Sequence, residues 1–595
     1  MQEYSAPGEI SLESGDHLLQ PLFEHARRTP HKALLAYRQG DRFIDVSAAD
    51  AADRVRRLAR GLIGLGVGKG DRVALMSATR LEWTYLDYAI LAAGAVTVPI
   101  YDTSSTEQVE WILSDSGAVA AFFENDDLKA HHDAVADQAP DCKHVFTIDG
   151  GGLAELEASG AGVTDEQLDE RLAGLGITDT ATIIYTSGTT GLPKGCVLTH
   201  GNLRSNSKNA VAAMPELLTP EDSLLLFLPL AHSFAKILQV ASMERGIRVG
   251  FATSTQHLLE ELPMFQPTFV VAVPRIFEKV FTGAQQKAIA GGKGAIFERA
   301  VDTAVAYSKA QESGSPGLGL KLRHALFDKL VYSKLRALFG GRLKSANSGG
   351  GPLGARLTHF FNGVGIKIYE GYGLTETSPI LTANTPSAWR IGSVGKPIPG
   401  TSIRIADDGE ILARGPQVFT GYYGNDVATA ETIDAENWFH TGDIGELDRD
   451  GFVTITGRKK ELIVTAGGKN VAPAILEDRL RSHALVSQVI VVGDNRPYVA
   501  ALVTIDEEQF PAWAERNDRA GRKVGDMIED PVLRAEIQTA VDHANSAVSK
   551  AESIRRFSIL PQDFTIEGGE MTPTLKLKRN VVTDRYQEAV EALYR

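Results

Sequence analysis

Short apolar runs and longer amphipathic stretches alternate over most of the chain. Apolar runs of strand length occupy 72–76, 95–100, 181–185, 223–228, 268–273 and 365–369, and helical periodicity marks 48–65 and 81–92. Strands that alternate with helices are typical of mainly parallel sheets with helices on both faces. The pattern therefore predicts an α/β fold for the larger part of the chain.

The pattern changes from about residue 451 onward, where short strands mix with charged helices. Strands are predicted at 452–455, 489–492 and 499–504, and helices at 474–483 and 531–548. This is typical of a small α+β domain. The charged connection at 457–460 (GRKK) favours relative motion of two domains, which we place at 1–457 and 458–595.

Length and composition narrow the class of protein. A chain of 595 residues with 43% hydrophobic residues is too long for one core, and its net charge of −14 argues against a nucleic-acid-binding surface. The two cysteines, Cys142 and Cys196, are too few for a disulfide framework or a cysteine metal site. We find no secretory signal and no run of eighteen apolar residues. We expect a cytoplasmic protein, and leave open peripheral contact with the inner face of the membrane.

A predicted helix at 324–339 carries both apolar and basic residues. The apolar residues that fall on one face are Leu326, Phe327, Leu330, Val331, Leu335 and Leu338. The surrounding cations are Lys321, Arg323, Lys329, Lys334 and Arg336. The pattern fits either a helix on a membrane surface or, as is more common, a core-facing helix with a solvated charged side.

The segment 185–195 (YTSGTTGLPKG) directly follows a predicted buried strand. Glycines let a backbone approach an anion closely, while hydroxyls and Lys194 add donors and a positive charge. A Walker loop that began at Gly188 would need its second glycine where Pro193 stands, so that motif is excluded. The composition predicts a loop that binds a polyphosphate.

Three further segments carry candidate chemistry. The segment 369–377 (YEGYGLTET) places Glu376 by a glycine-rich turn at a strand end, where a carboxylate can hold Mg²⁺ against phosphate, and Tyr372 offers a face for adenine. The glycines of 348–353 (SGGGPL) let the backbone lie flat against a planar ring. In 438–443 (WFHTGD), Asp443 can accept hydrogen bonds from two vicinal hydroxyls.

These segments, in their order along the chain, resemble the motifs of the adenylate-forming superfamily. With 228–234 (LPLAHSF), 273–279 (VPRIFEK) and 571–579 (MTPTLKLKR), the chain looks like a long-chain fatty acid–CoA ligase over most of its length. The resemblance implies a large N-terminal domain of stacked, mainly parallel αβα sheets plus a distorted barrel, and a small mobile α+β C-terminal domain. It also implies a hinge at Lys460.

The resemblance assigns roles to individual residues. Lys576, Thr189 and Glu376 are implied in catalysis, with Glu376 as the metal ligand. The residues implied in binding ATP or coenzyme A are Thr186, Ser187, Gly188, Thr190, Lys194, Gly350, Gly351, Tyr372, Gly373, Thr375, Asp443, Arg458, Gly467 and Gly468. The acyl channel is implied to be bordered by His232, Phe234 and Phe277.

Two positions depart from the family pattern. Gly457 stands where many relatives have Asp, and Leu575 stands where many have Gly before the mobile lysine. A bulky residue at the second position points to the long-chain branch. Lys578 stays an alternative to Lys576.

The predicted reaction is the ligation of a long-chain fatty acid to coenzyme A, dependent on ATP and Mg²⁺, through an acyl adenylate, with release of AMP and pyrophosphate. The alternatives are a fatty acyl–AMP ligase that loads a carrier protein, a medium-chain or other acid–CoA ligase, and a non-catalytic nucleotide-binding scaffold. The sequence leaves the oligomeric state open between monomer and homodimer.

Overall fold

The computed structural model describes residues 2–8, 10–186, 192–254, 256–466, 469–572 and 577–595. The strands in these ranges are β1 Glu3–Ser5, β2 Ala33–Gln39, β3 Arg42–Ser47, β4 Arg72–Met76, β5 Val96–Ile100, β6 Ala120–Phe123, β7 His144–Thr147, β8 Thr180–Thr186, β9 Lys194–Thr199, β10 Ser223–Leu226, β11 Arg248–Phe251, β12 Phe269–Ala272, β13 Ser345–Ser348, β14 Lys367–Gly373, β15 Ile380–Ala383, β16 Lys396–Pro397, β17 Ser402–Ile405, β18 Glu410–Arg414, β19 Gly421–Tyr422, β20 Phe439–Leu447, β21 Val453–Arg458, β22 Ile463–Val464, β23 Asn470–Val471, β24 Val486–Val492, β25 Val499–Ile505 and β26 Ile554–Ile559.

The α-helices in the same ranges are α1 Gln20–Arg28, α2 Ala48–Gly64, α3 Leu81–Ala92, α4 Thr106–Ser116, α5 Asp126–Asp133, α6 Gly152–Ser159, α7 Asp165–Ala173, α8 His200–Ala213, α9 Ser233–Arg245, α10 Leu258–Phe265, α11 Pro274–Ala290, α12 Gly294–Glu312, α13 Leu318–Phe327, α14 Ser333–Leu338, α15 Ala355–Val364, α16 Asp426–Thr432, α17 Pro473–Arg481, α18 Phe510–Arg516, α19 Pro531–Asn545, α20 Arg579–Arg585 and α21 Gln587–Ala592. A π-helical turn, Asp328–Tyr332, joins α13 to α14, and short 3-10 turns include Thr375–Thr377 and Lys459–Glu461.

Two large sheets form most of the N-terminal part. The seven-stranded sheet has the order β19-β9-β8-β5-β4-β6-β7, and the nine-stranded sheet has the order β16-β15-β14-β13-β12-β10-β11-β2-β3. Strands from β8 to β7 in the first sheet and from β2 to β14 in the second pair in parallel, whereas the pairs at β9, β19, β3, β15 and β16 are antiparallel. One hydrophobic core contains residues of both sheets and of the helices α2 and α3. The predicted α/β class with mainly parallel sheets is confirmed.

A third sheet is antiparallel and contributes residues to the same hydrophobic core. Its order is β1-β17-β18-β20-β21. Its strand β20 alternates buried and half-exposed residues over most of its length, as expected of a sheet with one face on the core. The sheet carries Asp443 on β20 opposite Arg458 on β21.

The C-terminal part has a sheet and cores of its own. The strands β24, β25 and β26 form a three-stranded sheet, and α17 and α19 pack over it. Its larger core contains Leu476 and Leu480 of α17 and Leu533 and Ile537 of α19. The predicted strands at 489–492 and 499–504 correspond to β24 and β25.

The predicted basic helix at 324–339 is not one continuous α-helix with one apolar face. The π-helical turn Asp328–Tyr332 divides it and shifts the positions that follow. Leu335 is buried in the core, and Phe327, Val331 and Leu338 pack against it. Leu326 and Leu330 are exposed instead, so the predicted single face is wrong.

Among the residues that the structure describes, no helix is both long and apolar enough to cross a membrane.

Candidate active site

The site is built around the end of strand β14, where the chain turns sharply. Gly373 is the last residue of β14, and a side chain there would overlap the backbone carbonyl of Pro379. Only glycine fits this close approach. The chain can therefore turn at once into Thr375–Thr377, which places Tyr372 and Glu376 within one short segment.

Glu376 lies against Tyr422 on one side of this segment. The Tyr422 hydroxyl donates a hydrogen bond of 2.9 Å to Oε1 of Glu376. The Nζ of Lys194 lies 5.1 Å from the centre of the Tyr422 ring, within the range of a cation–π contact. Burial and the nearby Glu376 carboxylate raise the pKa of Tyr422, so its hydroxyl stays a donor at neutral pH. One tyrosine thus positions both a carboxylate and a lysine.

Thr186 and Lys194 form the two ends of the predicted phosphate loop. They pair across the antiparallel strands β8 and β9. The Thr186 hydroxyl lies 3.8 Å from the Sγ of Cys196. Burial, followed by the nearby Glu376, raises the pKa of the Cys196 thiol, so this cysteine is an unreactive core thiol rather than a nucleophile.

A second group of side chains lies on the other side of the β14 turn. The Tyr372 hydroxyl donates to Oδ2 of Asp443 at 2.7 Å, and Nε of Arg458 lies 3.1 Å from Oδ1. Asp443 itself is buried. Each carboxylate oxygen has two acceptor sites, so Asp443 keeps capacity for two further donors such as the hydroxyls of a ribose.

Glu410 holds the turn that presents Asp443. Its Oε1 accepts a hydrogen bond of 2.9 Å from the Gly442 amide, and its Oε2 lies 3.2 Å from Nδ1 of His440 and 2.8 Å from Nζ of Lys459. Burial raises the pKa of Glu410, but the bonds to Lys459, His440 and Gly442 outweigh it and leave the pKa lowered. Glu410 is therefore an ionised carboxylate with three polar partners.

The glycine-rich loop 348–353 lies over Phe234. A Cβ at Gly349 would stand 2.9 Å from Cζ of Phe234, and Gly350 has a φ of +80°. His232 caps α9, where its Nδ1 accepts from the Phe234 amide at 3.1 Å. Gly350 and Gly351 face Val273 and Pro274, at the start of α11. The loop predicted to lie against adenine therefore also contacts Phe234, which is predicted to border the acyl channel.

Two further predicted site residues, Thr375 and Phe277, are buried. Thr375 is buried, with its hydroxyl 3.2 Å from that of Ser233. Phe277 is fully buried and packs edge-to-face on Phe361 with ring centres 5.7 Å apart. That packing is typical of a core residue, and a role for Phe277 in an acyl channel stays a prediction.

The predicted hinge follows β21 directly. Lys459 is tied to the N-terminal part through Glu410 and, at 2.6 Å, through Asp408. The next residue, Lys460, is exposed in the 3-10 turn Lys459–Glu461. Lys459, which is held by two carboxylates, therefore directly precedes the exposed Lys460 at the start of the C-terminal part.

Several predicted residues lie outside the described ranges, and their roles stay predictions. They are Ser187, Gly188, Thr189 and Thr190 of the phosphate loop, Gly467 and Gly468, which the resemblance implies in binding coenzyme A, and Lys576. The alternative lysine, Lys578, donates its backbone amide to the Glu570 carbonyl at 2.7 Å, just before α20.

Sequence reasoning missed Tyr422, Glu410 and Lys459. Tyr422 and Glu410 lie in segments without a marked motif, and they reach Glu376 and the turn before Asp443 only through tertiary contacts. Lys459 lies in the charged connection 457–460, but the sequence does not show its contacts with Asp408 and Glu410. The adjacent tyrosines at 422–423 were the one available signal.

A magnesium ion fits the donors at Glu376. In the described part of the chain, no three His, Cys, Asp or Glu side chains gather into a metal site. Mg²⁺ commonly needs only one or two carboxylates when a nucleotide supplies phosphate oxygens and water completes the shell. Glu376, fixed by Tyr422 beside Lys194, meets that requirement.

Comparison with known proteins assigns the class. The AMP-binding enzyme family matches residues 22–423, and the AMP-binding enzyme C-terminal domain matches residues 460–595. The chain therefore belongs to the AMP-binding enzyme family, and the predicted membership of the adenylate-forming superfamily is confirmed.

Individual relatives refine this assignment. The chain is 52% identical over 598 aligned residues to the long-chain-fatty-acid–CoA ligase FadD15 of Mycobacterium tuberculosis, with 100% of both chains covered. It is 31% identical to the peroxisomal long chain acyl-CoA synthetase 7 of Arabidopsis thaliana, covering 92% of this chain and 81% of the relative.

Solved structures support the fold. The crystal structure of ATP-bound MatB from Rhodopseudomonas palustris superposes with a TM-score of 0.72 at 23% identity, covering 97% of this chain and 99% of that one. The adenylation domain of a carboxylate reductase from Mycobacterium chelonae gives 0.76 at 21% identity, covering 98% of this chain and 92% of that one.

Proposed function

We propose that this protein is a long-chain fatty acid–CoA ligase. It activates a fatty acid with ATP to an acyl adenylate and pyrophosphate, and then transfers the acyl group to coenzyme A with release of AMP. One observation carries the proposal. The short segment 372–376 connects Asp443, which can accept hydrogen bonds from ribose hydroxyls, to Glu376, which can hold magnesium against phosphate. The names of the full-length relatives, which are long-chain-fatty-acid–CoA ligases, support the acid and the acceptor.

The nucleotide is held from both ends of this segment. Asp443 accepts the ribose hydroxyls, with Tyr372 and Arg458 fixing its carboxylate, and the adenine lies between Tyr372 and the loop at Gly350. The polyphosphate follows past Thr375 to the loop that Thr186 and Lys194 begin and end, where Ser187, Gly188, Thr189 and Thr190 supply donors. In the proposed pose the α-phosphate lies between Asp443 and Glu376.

The first step is attack by the fatty acid carboxylate on the α-phosphate. The new bond joins a carboxylate oxygen to phosphorus, and the bond from the α-phosphorus to the bridging oxygen breaks as pyrophosphate leaves. Such a transfer needs positioning and neutralisation of charge. Lys576 and Lys194 supply positive charge; Glu376 would hold Mg²⁺, which when bound neutralises the phosphate oxygens.

The second step joins the acyl group to the thiol of coenzyme A. The thiol sulfur attacks the adenylate carbonyl, the bond from carbonyl carbon to phosphate oxygen breaks, and AMP leaves. Between the steps the C-terminal domain, 458–595, turns about Lys460, withdrawing Lys576 and presenting Gly467 and Gly468 to the pantetheine arm. Lys459, held by Asp408 and Glu410, supports this proposal because it fixes the residue before the pivot.

The acyl chain enters beside Phe234 and His232. The Phe234 ring lies directly under the glycine-rich loop, so an acid seated on it would place its carboxylate near the nucleotide. Phe277 borders the far side from within the core. Since each methylene contributes only about 0.8 kcal/mol, selection among long acids is broad.

The experiment that tests the proposal measures AMP release from ATP, Mg²⁺ and palmitate, with and without coenzyme A. Turnover that depends on coenzyme A, with palmitoyl-CoA formed, supports the ligase. Palmitoyl-AMP that accumulates without thioester would instead indicate an acyl–AMP ligase, which the relatives' names do not favour. Octanoate and acetate, run in parallel, separate a long-chain enzyme from a medium-chain or short-chain one.

A further inference from the structure

An exposed row of leucines lies on the outer side of α13 and the turn that follows it. Leu318, Leu322, Leu326 and Leu330 are 81%, 73%, 57% and 48% exposed, respectively. They are four residues apart, so successive members are neighbours on one helical face. Single exposed leucines need no explanation, but a continuous row of them marks an interaction surface.

The inner side of the same helix is firmly held. His324 bonds the Gly363 carbonyl through Nε2 at 2.6 Å and stacks on Tyr307 with ring centres 3.8 Å apart. The Tyr332 hydroxyl donates to the Ala300 carbonyl at 2.6 Å. The helix therefore cannot simply roll to bury its outer leucines. None of the four leucines belongs to a hydrophobic core in the described part of the chain.

The surroundings of the leucine row are strongly basic. Residues 318–344 contain seven Lys or Arg and a single Asp, in a chain whose net charge is −14. That aspartate, Asp328, is paired with Arg336 at 2.7 Å. Lys321 and Arg323 flank Leu322 in sequence, which at 100° per residue places them on opposite sides of the row. Both are exposed, as are Lys329 and Lys334.

We propose that this leucine row and its flanking cations form a docking face for an anionic membrane surface. Leucines insert at the boundary of headgroups and acyl chains, while lysine and arginine side chains reach outward to anionic phosphates. A second copy of the chain is a poorer occupant, because it would bring another strongly basic face against this one. The proposal goes beyond the ligase reaction and does not depend on it.

The test is vesicle flotation of the full-length protein. One set of vesicles is pure phosphatidylcholine, and the other contains about one third phosphatidylglycerol, a content that gives a negative surface potential. We expect binding to the anionic vesicles, and weaker binding when salt is raised from about 0.05 to about 0.5 M because the charges are screened. Equal binding to both vesicle types, or none to either, would overturn the proposal.

Two variants separate the apolar and charged contributions. Leu322→Asn with Leu326→Asn should lower binding by about tenfold or more, since two inserted side chains are lost. Lys321→Gln with Arg323→Gln should remove much of the preference for anionic lipid, again by roughly tenfold. The matched control is Val427→Asn on α16, which removes an apolar side chain that is 72% exposed elsewhere on the surface.

Further outcomes would count against a membrane partner. If the leucine variant binds vesicles like the original protein, the row is not the docking face. If sedimentation velocity shows that the original protein is a dimer and the leucine variant is a monomer, the row is an interface between copies. Unchanged ligation of detergent-dispersed palmitate by each variant verifies that it is folded, and vesicle binding is scored independently of that activity.

Discussion

The hydroxyl of Tyr422 donates a hydrogen bond of 2.9 Å to Oε1 of Glu376, while its ring lies under the ammonium group of Lys194. The two contacts use different parts of the tyrosine. Removing the hydroxyl therefore separates the orientation of Glu376 from the placement of Lys194.

Tyr422→Phe should slow adenylation by about threefold to tenfold, as expected for one lost hydrogen bond to a charged or polar group. The Mg²⁺ concentration for half-maximal rate should rise, because Glu376 is less well oriented. A magnesium titration of pyrophosphate release measures both effects. Tyr423→Phe is the matched control, and an equal change in both variants would contradict a specific role for Tyr422.

Lys576→Ala should reduce adenylation by on the order of a hundredfold, because one positive group is lost from the transferring phosphate. Thioester formation from supplied palmitoyl-AMP should largely survive. Lys578→Ala is the comparison variant, and the two half-reactions are assayed separately. The opposite pattern, in which Lys578→Ala alone abolishes adenylation, would move the role to Lys578.

Glu410→Gln should raise the KM for ATP and destabilise the N-terminal part by about 1–3 kcal/mol. The reason is that a buried carboxylate with three polar partners loses its charge while Lys459 keeps its own. Asp408→Asn removes the exposed carboxylate on the same lysine and should change stability by less than about 1 kcal/mol. Urea denaturation and ATP saturation curves are measured for the two variants. Similar losses of stability and of ATP affinity in both variants would show that Glu410 has no special role at the Asp443 turn.

Gly373→Ala should abolish activity and lower stability by several kcal/mol, since the new Cβ would overlap the Pro379 carbonyl. Gly283→Ala, within α11 and with nothing close to the new Cβ, should raise stability by up to about 1 kcal/mol. Thermal unfolding of the two variants tests the contrast. Normal stability and activity of Gly373→Ala would mean that the β14 turn is looser than the structure shows.

Acid should destabilise the protein partly through His17 and His200. Burial lowers the pKa of His17 to about 4 and that of His200 to about 3, with Arg204 and His17 adding to the respective effects. As pH falls below about 6.5 the unfolded chain binds protons that the folded chain does not, so stability drops by about 1.4 kcal/mol per pH unit for each histidine. Above about pH 7 this contribution is constant.

Replacing both histidines by Asn should therefore flatten the decrease in urea midpoint between pH 7 and pH 5. Asn suits the test because its side-chain oxygen can accept from the Leu18 and Leu19 amides, as the Nδ1 atoms of His200 and His17 do. His31→Asn, at an exposed histidine, is the control. An unchanged pH profile in the double variant would rule out these histidines as the cause.

Local patterns predicted many elements well. The strand at 72–76 and the helix at 81–92 coincide with β4 and α3, because their boundaries depend on local apolar runs and turn residues. The helix at 324–339 was predicted less well. Its π-helical turn depends on packing, with Tyr332 bonded to Ala300 on a different helix, which periodicity cannot show.

The sequence by itself determined the class of protein and most of its candidate binding residues, because its motifs stand in the order that resembles the adenylate-forming superfamily and carry side chains suited to phosphate, ribose and magnesium. Only the tertiary structure decided which side chains hold them in place. Tyr422 is 46 residues from Glu376, and Glu410 is 49 residues from Lys459. Such contacts arise when separate strands are brought together by packing, and so do the exposed leucines, since exposure depends on what the rest of the chain covers.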